Sequence, residues 1–380
     1  MDVFLELAVI LITAKLMGYL SSRLGFPAAL GQIIGGILLG PSLLNFVAYG
    51  EGVRLISELG VIMLLFLAGL ETDMEEFKRV GLPAFLIASL GVAVPFIFGY
   101  AVALRWGYPG MEALFLGGVM TATSVSLTAS VLMEMKRLRT RVGAAILAAA
   151  VVDDVLGIII LTILVAMNTK GTVYVGDIAV LLVEIAAFFL LSYLIGRGIV
   201  KKVLRSSHRI NLPETVTTVS IVVMLIFAYL AEYFQIAAIT GAYLAGILVA
   251  GSDDARKITD KIITLGYAFF IPVFLVGVGA ETDAHVVLAA GAFALVYSLL
   301  AIVGKVIGCG IGGILSKFSP MESLQIGVGM IPRMEVGLIM ANIGLSEGIL
   351  TNESFSIAIA MVMATTLVTP PLLKLAFSRR

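Results

Sequence analysis

The chain has 380 residues, 60% of them hydrophobic and only 13% charged, with 25 basic residues balancing 25 acidic ones. Soluble domains carry about 25% charged residues, so this composition excludes a soluble globular protein. The zero net charge says little by itself, and the single Cys309 excludes a disulfide framework or a thiolate metal site.

Apolar runs of about 20 residues, each long enough to cross ~30 Å of hydrocarbon, recur from end to end. We read an all-α polytopic membrane protein with thirteen transmembrane spans. The first six lie at 3–24, 28–45, 54–71, 82–104, 111–133 and 141–167. The other seven lie at 175–196, 213–231, 236–251, 262–280, 286–315, 321–345 and 353–373. Span 1 has no basic flank before it and no small-residue cleavage site after it, so it reads as a span and not a signal peptide.

The basic residues orient these spans. With the N-terminus outside, nineteen Lys and Arg fall in inner loops, notably at 136–141, 197–209 and 256–261. Only Arg54, Arg105 and Lys170 fall outside, a strong positive-inside bias. The basic loop at 197–212 is expected to meet anionic headgroups. Lys15, Lys305 and Arg333 are left within spans. The expected setting is the plasma membrane, multi-pass, with the N-terminus outside and the C-terminus cytoplasmic, and with no appended nucleotide-binding domain.

A shift of 210 residues superposes the chain on itself. "MEALFLGGVM" (111–120) lies over "MESLQIGVGM" (321–330), and "GLETD" (69–73) over "GAETD" (279–283). Gly36-Ile37-Leu38 meets Gly246-Ile247-Leu248 at the same offset, and Tyr19-Leu20 meets Tyr229-Leu230. Residues 1–167 and 213–380 are therefore two six-span repeats, joined by span 7 and its loop (168–212). Equivalent spans are seven apart, so the halves cross in opposite directions, as inverted repeats of secondary transporters do.

After the matching decapeptides the halves diverge. Span 5 continues "TATSVSLTAS" and span 12 continues "IPRMEVGLIM". Pro332 removes a helical hydrogen bond, and hydroxyls can satisfy freed backbone groups. Both spans are expected to break at the midplane, with Arg333 and Glu335 offsetting the half-helix dipoles.

Span 6 holds "AAAVVDDVLGIIIL" (148–161), two carboxylates at membrane depth. An intramembrane acid is a functional residue by default. Asp153 and Asp154 stand over Met363 and Ala364 at the 210 shift, so the repeat does not require them. Successive helix positions differ by about 100°, so the two acids can serve different partners. Lys305, in "LLAIVGKVIGCGIGG", is the clearest base. Burial disfavours a charged lysine and an aspartate neighbour favours it, so a Lys–Asp pair that opens and closes can load and release protons.

Weaker signals have plainer readings. Lys15 can snorkel; Glu184 suits an interface hydrogen bond, and Glu58 can be solvated. "GCGIGG" (308–313) fits a dinucleotide pattern but continues a membrane helix. "GQIIGGILLG" (31–40) suits close helix packing. His208 and His285 are too far apart in the sequence to suggest a histidine metal site.

On "VVDDVLG", the "ATSV" of span 5, the lysine of "VGKVIG" and "GMIPRMEVGLI", the chain resembles the bacterial monovalent cation/proton antiporter superfamily, and within it the electrogenic sodium/proton antiporters of the NapA and NhaA type. The resemblance implies an NhaA-like fold of thirteen transmembrane helices, two inverted six-helix repeats with crossed discontinuous helices. It implies a core domain from spans 3–6 and 10–13, and a dimerisation domain from spans 1, 2, 8 and 9 with linker span 7. It further implies that Asp154 binds the cation or a proton, that Asp153 pairs with Lys305, and that Thr123 and Ser124 line the break. Sodium or lithium and protons would be the substrates, with Asp154 and Asp153 as ligands of the transported sodium. The state would be a homodimer in the bilayer serving pH homeostasis. No cofactor, no enzymatic reaction and no nucleic-acid partner are expected. One departure is Met334, where relatives commonly have Gly. A Kef-type potassium/proton antiporter and a cation channel without proton coupling are the alternatives.

Overall fold

The computed structural model describes residues 3–41, 43–47, 49–73, 75, 79–170, 175–281 and 291–378. Among them the only regular structure is helix. The first half contains α1 (Val3–Arg23), α2 (Ala28–Leu39), α3 (Glu51–Leu70), α4 (Gly81–Trp106), α5 (Gly110–Thr121), α6 (Val125–Glu134) and α7 (Arg141–Lys170). α8 (Val175–Ser207) follows. The second half contains α9 (Thr215–Tyr233), α10 (Ala238–Ala250), α11 (Ala255–Leu265), a π-helical turn (Gly266–Phe270) and α12 (Ile271–Ala280). It ends with α13 (Gly291–Leu315), α14 (Pro320–Gly329), α15 (Met334–Ser346) and α16 (Asn352–Ser378). His285, Lys78, Arg379, Arg380 and the start of the expected eleventh span lie outside the described residues.

Among the described residues nine helical stretches are long and apolar enough to cross a membrane, and two bent pairs raise that to as many as eleven. The protein is a multi-pass membrane protein. Two expected spans differ from their reading. α2 and α10 have 12 and 13 residues, which at 1.5 Å per residue give roughly 18–20 Å. That is too short to cross ~30 Å of hydrocarbon alone. The loop expected at 197–212 is also helical as far as Ser207, with a bend of 45° between Leu194 and Gly198. Val200 and Leu204, one turn apart, are buried while Lys201, Lys202 and Arg205 face out, so this amphipathic stretch packs instead of looping.

Glycine-rich faces hold the bundle together. Gly31 of α2 abuts the Met17 carbonyl of α1, and about 140° round the helix, Gly36 abuts the Val276 carbonyl and Gly279 of α12. Gly69 of α3 meets the Tyr243 carbonyl and Gly246 of α10 in the same way. The pairs 36–279 and 69–246 exchange under the 210 shift. So do Gly31 against Met17 and Gly241 against Phe227, and Gly117 against Phe96 and Gly327 against Val306. The "GCGIGG" stretch belongs to a packing stripe, with Gly304, Gly308 and Gly312 set against Pro95, Leu90 and Ile87 of α4.

A Cβ at Gly246 would overlap the Phe66 carbonyl, whereas one at Gly157 meets nothing within 4 Å. Gly246→Val is therefore expected to destabilise by about 1–3 kcal/mol or more through overpacking. Gly157→Ala should be neutral or slightly stabilising. Melting temperatures of the two purified variants check this contrast.

The remaining membrane charges have local partners. Lys15 donates to the carbonyl of Tyr267 in the π turn at 2.9 Å, and Glu184 accepts from Gln235 at 3.0 Å. Exposed Glu58 pairs with Arg54 at 3.1 Å.

Candidate functional site

Two interrupted helices meet in the interior. α5 ends at Thr121, whose hydroxyl folds back to the Gly118 carbonyl at 2.7 Å. Ala122 (φ −46°, ψ 145°) and Ser124 (φ −108°, ψ 119°) are extended, and α6 starts at Val125. In the second half α14 ends at Gly329 and α15 begins at Met334, with axes 51° apart. Pro332 lies in that gap. Met334 takes φ 27°, a left-handed backbone that strains a residue with a side chain and that glycine adopts freely.

The breaks interlock. The Ser124 amide donates to the Pro332 carbonyl at 2.8 Å, and the Thr128 hydroxyl donates to the Gly329 carbonyl at 2.7 Å. Ser126 donates to both oxygens of Glu335, at 3.0 and 3.3 Å, and shares a hydrogen bond of 2.9 Å with Ser124. Arg333, fully buried, donates to the carbonyls of Met330 (3.2 Å), Ile331 (2.7 Å) and Ala301 (3.1 Å). A cation thus sits on the carbonyl end of α14, and an anion sits in the first turn of α15. Each charge opposes the partial charge of the helix end beside it.

Beside this crossing, α7 presents the two acids. Lys305 of α13 donates to Asp153 at 2.6 Å, with both side chains essentially inaccessible. Arg333 and Lys305 are tied to the same helix, since Ala301 lies one turn before Lys305. Asp154 faces elsewhere and accepts from the Thr240 hydroxyl of α10 at 2.8 Å. It lines a cavity of ≈ 10 Å³ with Thr240, Tyr243, Val125 and Leu65. That is about the space of one water or small ion. Thr123, in the break itself, is buried with an Oγ1 that has no hydrogen-bond partner among the described residues.

The structure therefore brings together Asp153 with Lys305, and Ser124 with Glu335 through Ser126. Asp154 stands apart from Lys305 in its hydrogen bonding, and the Thr123 hydroxyl has no hydrogen-bond partner among the described residues. Sequence reasoning missed Thr240. Its signal was available, because the 210 shift places this hydroxyl over Leu30, a divergence of the same kind as Asp153 over Met363. Among the described residues no group of three His, Cys, Asp or Glu side chains could hold a resident metal.

The family model described as sodium/hydrogen exchanger, transmembrane, matches residues 9–378. The chain is 36% identical to the Na(+)/H(+)-K(+) antiporter GerN of Bacillus cereus, covering 100% of this chain and 97% of that protein. It is 35% identical to a Na(+)/H(+) antiporter of Enterococcus hirae, over 97% and 96% of the two chains. The fold matches the sodium proton antiporter MjNhaP1 of Methanocaldococcus jannaschii with a TM-score of 0.71 at 18% identity, covering 98% of this chain and 94% of that one.

Proposed function

The chain belongs to the sodium/hydrogen exchanger family, and we propose that it exchanges protons for sodium across the plasma membrane by alternating access. The observation that carries this reading is Asp154 on the wall of an ion-sized cavity, one residue from the buried Asp153–Lys305 pair and beside the crossed helix breaks. Carboxylate and hydroxyl oxygens are hard ligands for a hard monovalent cation. Asp154, Thr240 and the unpartnered Thr123 hydroxyl supply such oxygens, and a carboxylate can hold a cation or a proton in turn. Asp153 with Lys305 supplies the second titrating unit, which makes exchange electrogenic.

The architecture we propose has thirteen crossing segments, with the short α2 and α10 completed by neighbouring turns, arranged as two inverted repeats. The glycine contacts that exchange under the 210 shift support it. The same contacts join α3 to α10 and α12 to α2, so the proposed domain boundary falls after spans 3 and 10, one span later than the sequence reading drew it. Spans 4–6 and 11–13 then form the moving core against a static unit of spans 1–3 and 8–10, with span 7 as the link. The positive-inside bias supports an outer N-terminus and an inner C-terminus. The proposed homodimer would use the static unit, whose outward faces expose Ile12, Leu16, Tyr19, Tyr229 and Tyr233.

The test is cation-induced dequenching of a pH-sensitive dye in proteoliposomes, with sodium, lithium and potassium in turn. Sodium-driven proton movement is expected. Cation flux indifferent to the proton gradient would mark a channel and sink the proposal. On the geometry of Asp154, Thr240→Val should raise the half-saturating sodium concentration by about fivefold while leaving the maximal rate nearly unchanged, as expected for one lost hydroxyl contact of ~1 kcal/mol. The sodium dependence of the same dye signal measures it.

A further inference from the structure

A second cavity, of ≈ 290 Å³, opens far from Asp154, between the turn joining α6 to α7, the start of α14 and the end of α16. Its volume lies near the lower bound, about 300 Å³, of pockets that hold small ligands. Arg137 and Arg141 both line it, and neither guanidinium has a carboxylate partner among the described residues. Arg141 is held in place with its guanidinium 4.1 Å above the centre of the Phe318 ring.

Two helices begin at this cavity. α7 starts where Thr140, on the wall, accepts from the Gly143 amide at 3.2 Å. α14 starts at the capping box in which Ser319 accepts from the Glu322 amide at 3.2 Å. Both helix N-termini add partial positive charge. Glu322 is the one carboxylate on the wall, and it is engaged, accepting from the Ser319 amide at 2.8 Å. Two free guanidinium forks against one committed carboxylate select an anion, and planar forks match phosphate oxygens. Val142 and Phe377 give the cavity an apolar wall as well. A free inorganic ion has no use for such a wall, whereas the glycerol stem of a lipid does.

We propose that this pocket binds a phosphate-bearing anion, and the apolar wall favours the headgroup of an anionic membrane lipid as its source. The proposal rests on the orientation given above, which puts the pocket on the inner face, where basic pockets between helices meet anionic headgroups. It does not rest on exchange. Its occupant would tie together the end of α6, the start of the acid-bearing α7, the start of α14 and the end of α16, bracing both interrupted spans from one point.

The test uses the purified full chain in neutral detergent, with melting temperature followed against phosphatidylglycerol, phosphatidylcholine and inorganic phosphate at constant ionic strength. Phosphatidylglycerol is expected to raise the melting temperature and zwitterionic phosphatidylcholine to leave it unchanged. In the pair Arg137→Gln and Gln325→Glu, the phosphatidylglycerol midpoint should rise about tenfold, the loss of one charge-assisted contact. Inorganic phosphate reproducing the shift would assign the site to a free anion; a shift with phosphatidylglycerol alone assigns it to lipid. No shift with either anion, an equal shift with phosphatidylcholine, or a shift undiminished in the variant would overturn the proposal. Should the paired variant not fold, exposed Arg137→Gln alone is read by native mass spectrometry. One phosphatidylglycerol fewer per chain supports the site, and an unchanged count overturns it.

Discussion

An Asp154→Asn variant is expected to fold normally and to lose sodium/proton exchange by at least about 100-fold, the scale of removing the one group that both substrates must share. Asparagine has the same shape, and its carbonyl oxygen can still accept from Thr240, so the 2.8 Å contact with α10 survives. What disappears is ionisation. An amide neither takes up a proton nor balances a bound cation, and an uncompensated cation at membrane depth is costly. Reconstituted variant and wild type, matched for melting temperature and for protein inserted, give the comparison in the dye assay. Substantial exchange by the well-folded variant would remove Asp154 from the centre of the mechanism. Asp153→Asn should differ in kind. It leaves the inaccessible Lys305 ammonium without its counter-charge, so its first signature is a loss of stability, about 3–5 kcal/mol for one half of a buried pair.

How much of this was legible in the chain depends on what each signal encodes. Span 5 betrayed its break through hydroxyls and span 12 through Pro332, Arg333 and Glu335, because a freed backbone group in hydrocarbon must find a side-chain or backbone partner. The structure shows those partners in Thr128 on the Gly329 carbonyl and Arg333 on Met330 and Ile331. The Lys305–Asp153 pairing was read from resemblance alone, since residues 152 apart carry no local sign of contact. Thr240 was missed for the same reason. One hydroxyl in "AAITGAYLAG" is ordinary in a membrane helix; its divergence from Leu30 at the 210 shift marks the position, and its contact with Asp154 names the partner. The lengths of α2 and α10 misled in another way. Hydropathy continues past Leu39 into "GPSLLNF", while Gly40 and Pro41 end the helix, so apolarity outlasts regular structure. The helix contacts on which the proposed domain boundary rests were not legible either, because glycine at 36, 69, 246 and 279 marks close approach without naming the helix approached.

Lys305→Gln is expected to transport weakly and, where it transports, to do so close to electroneutrally. In the proposed cycle Asp154 gives up one proton to admit a monovalent cation, and Lys305 gives up another as Asp153 leaves their 2.6 Å contact. Two protons then exchange for one cation, so each cycle moves one net charge, worth ~2.3 kcal/mol per 100 mV of membrane potential. Glutamine keeps a donor in reach of Asp153 but has no proton to release, which leaves one proton per cation. The variant should also be less stable, since Asp153 loses its counter-ion in a site only 2% exposed. Stability alone would not separate a proton carrier from a structural partner. Combining Lys305→Gln with Asp153→Asn replaces the ion pair by a neutral hydrogen bond, and it should recover part of the lost melting temperature. That recovery tests the pair, and the electrical readout tests the proton. Exchange is measured in proteoliposomes with and without an imposed potassium diffusion potential, for wild type, single variant and double variant. Wild type should accelerate under a potential of the favourable sign, and both variants should be nearly indifferent to it. A Lys305→Gln protein as voltage-sensitive as wild type would make Lys305 a fixed brace for α7, and Asp154 would then need a second proton partner elsewhere in the core.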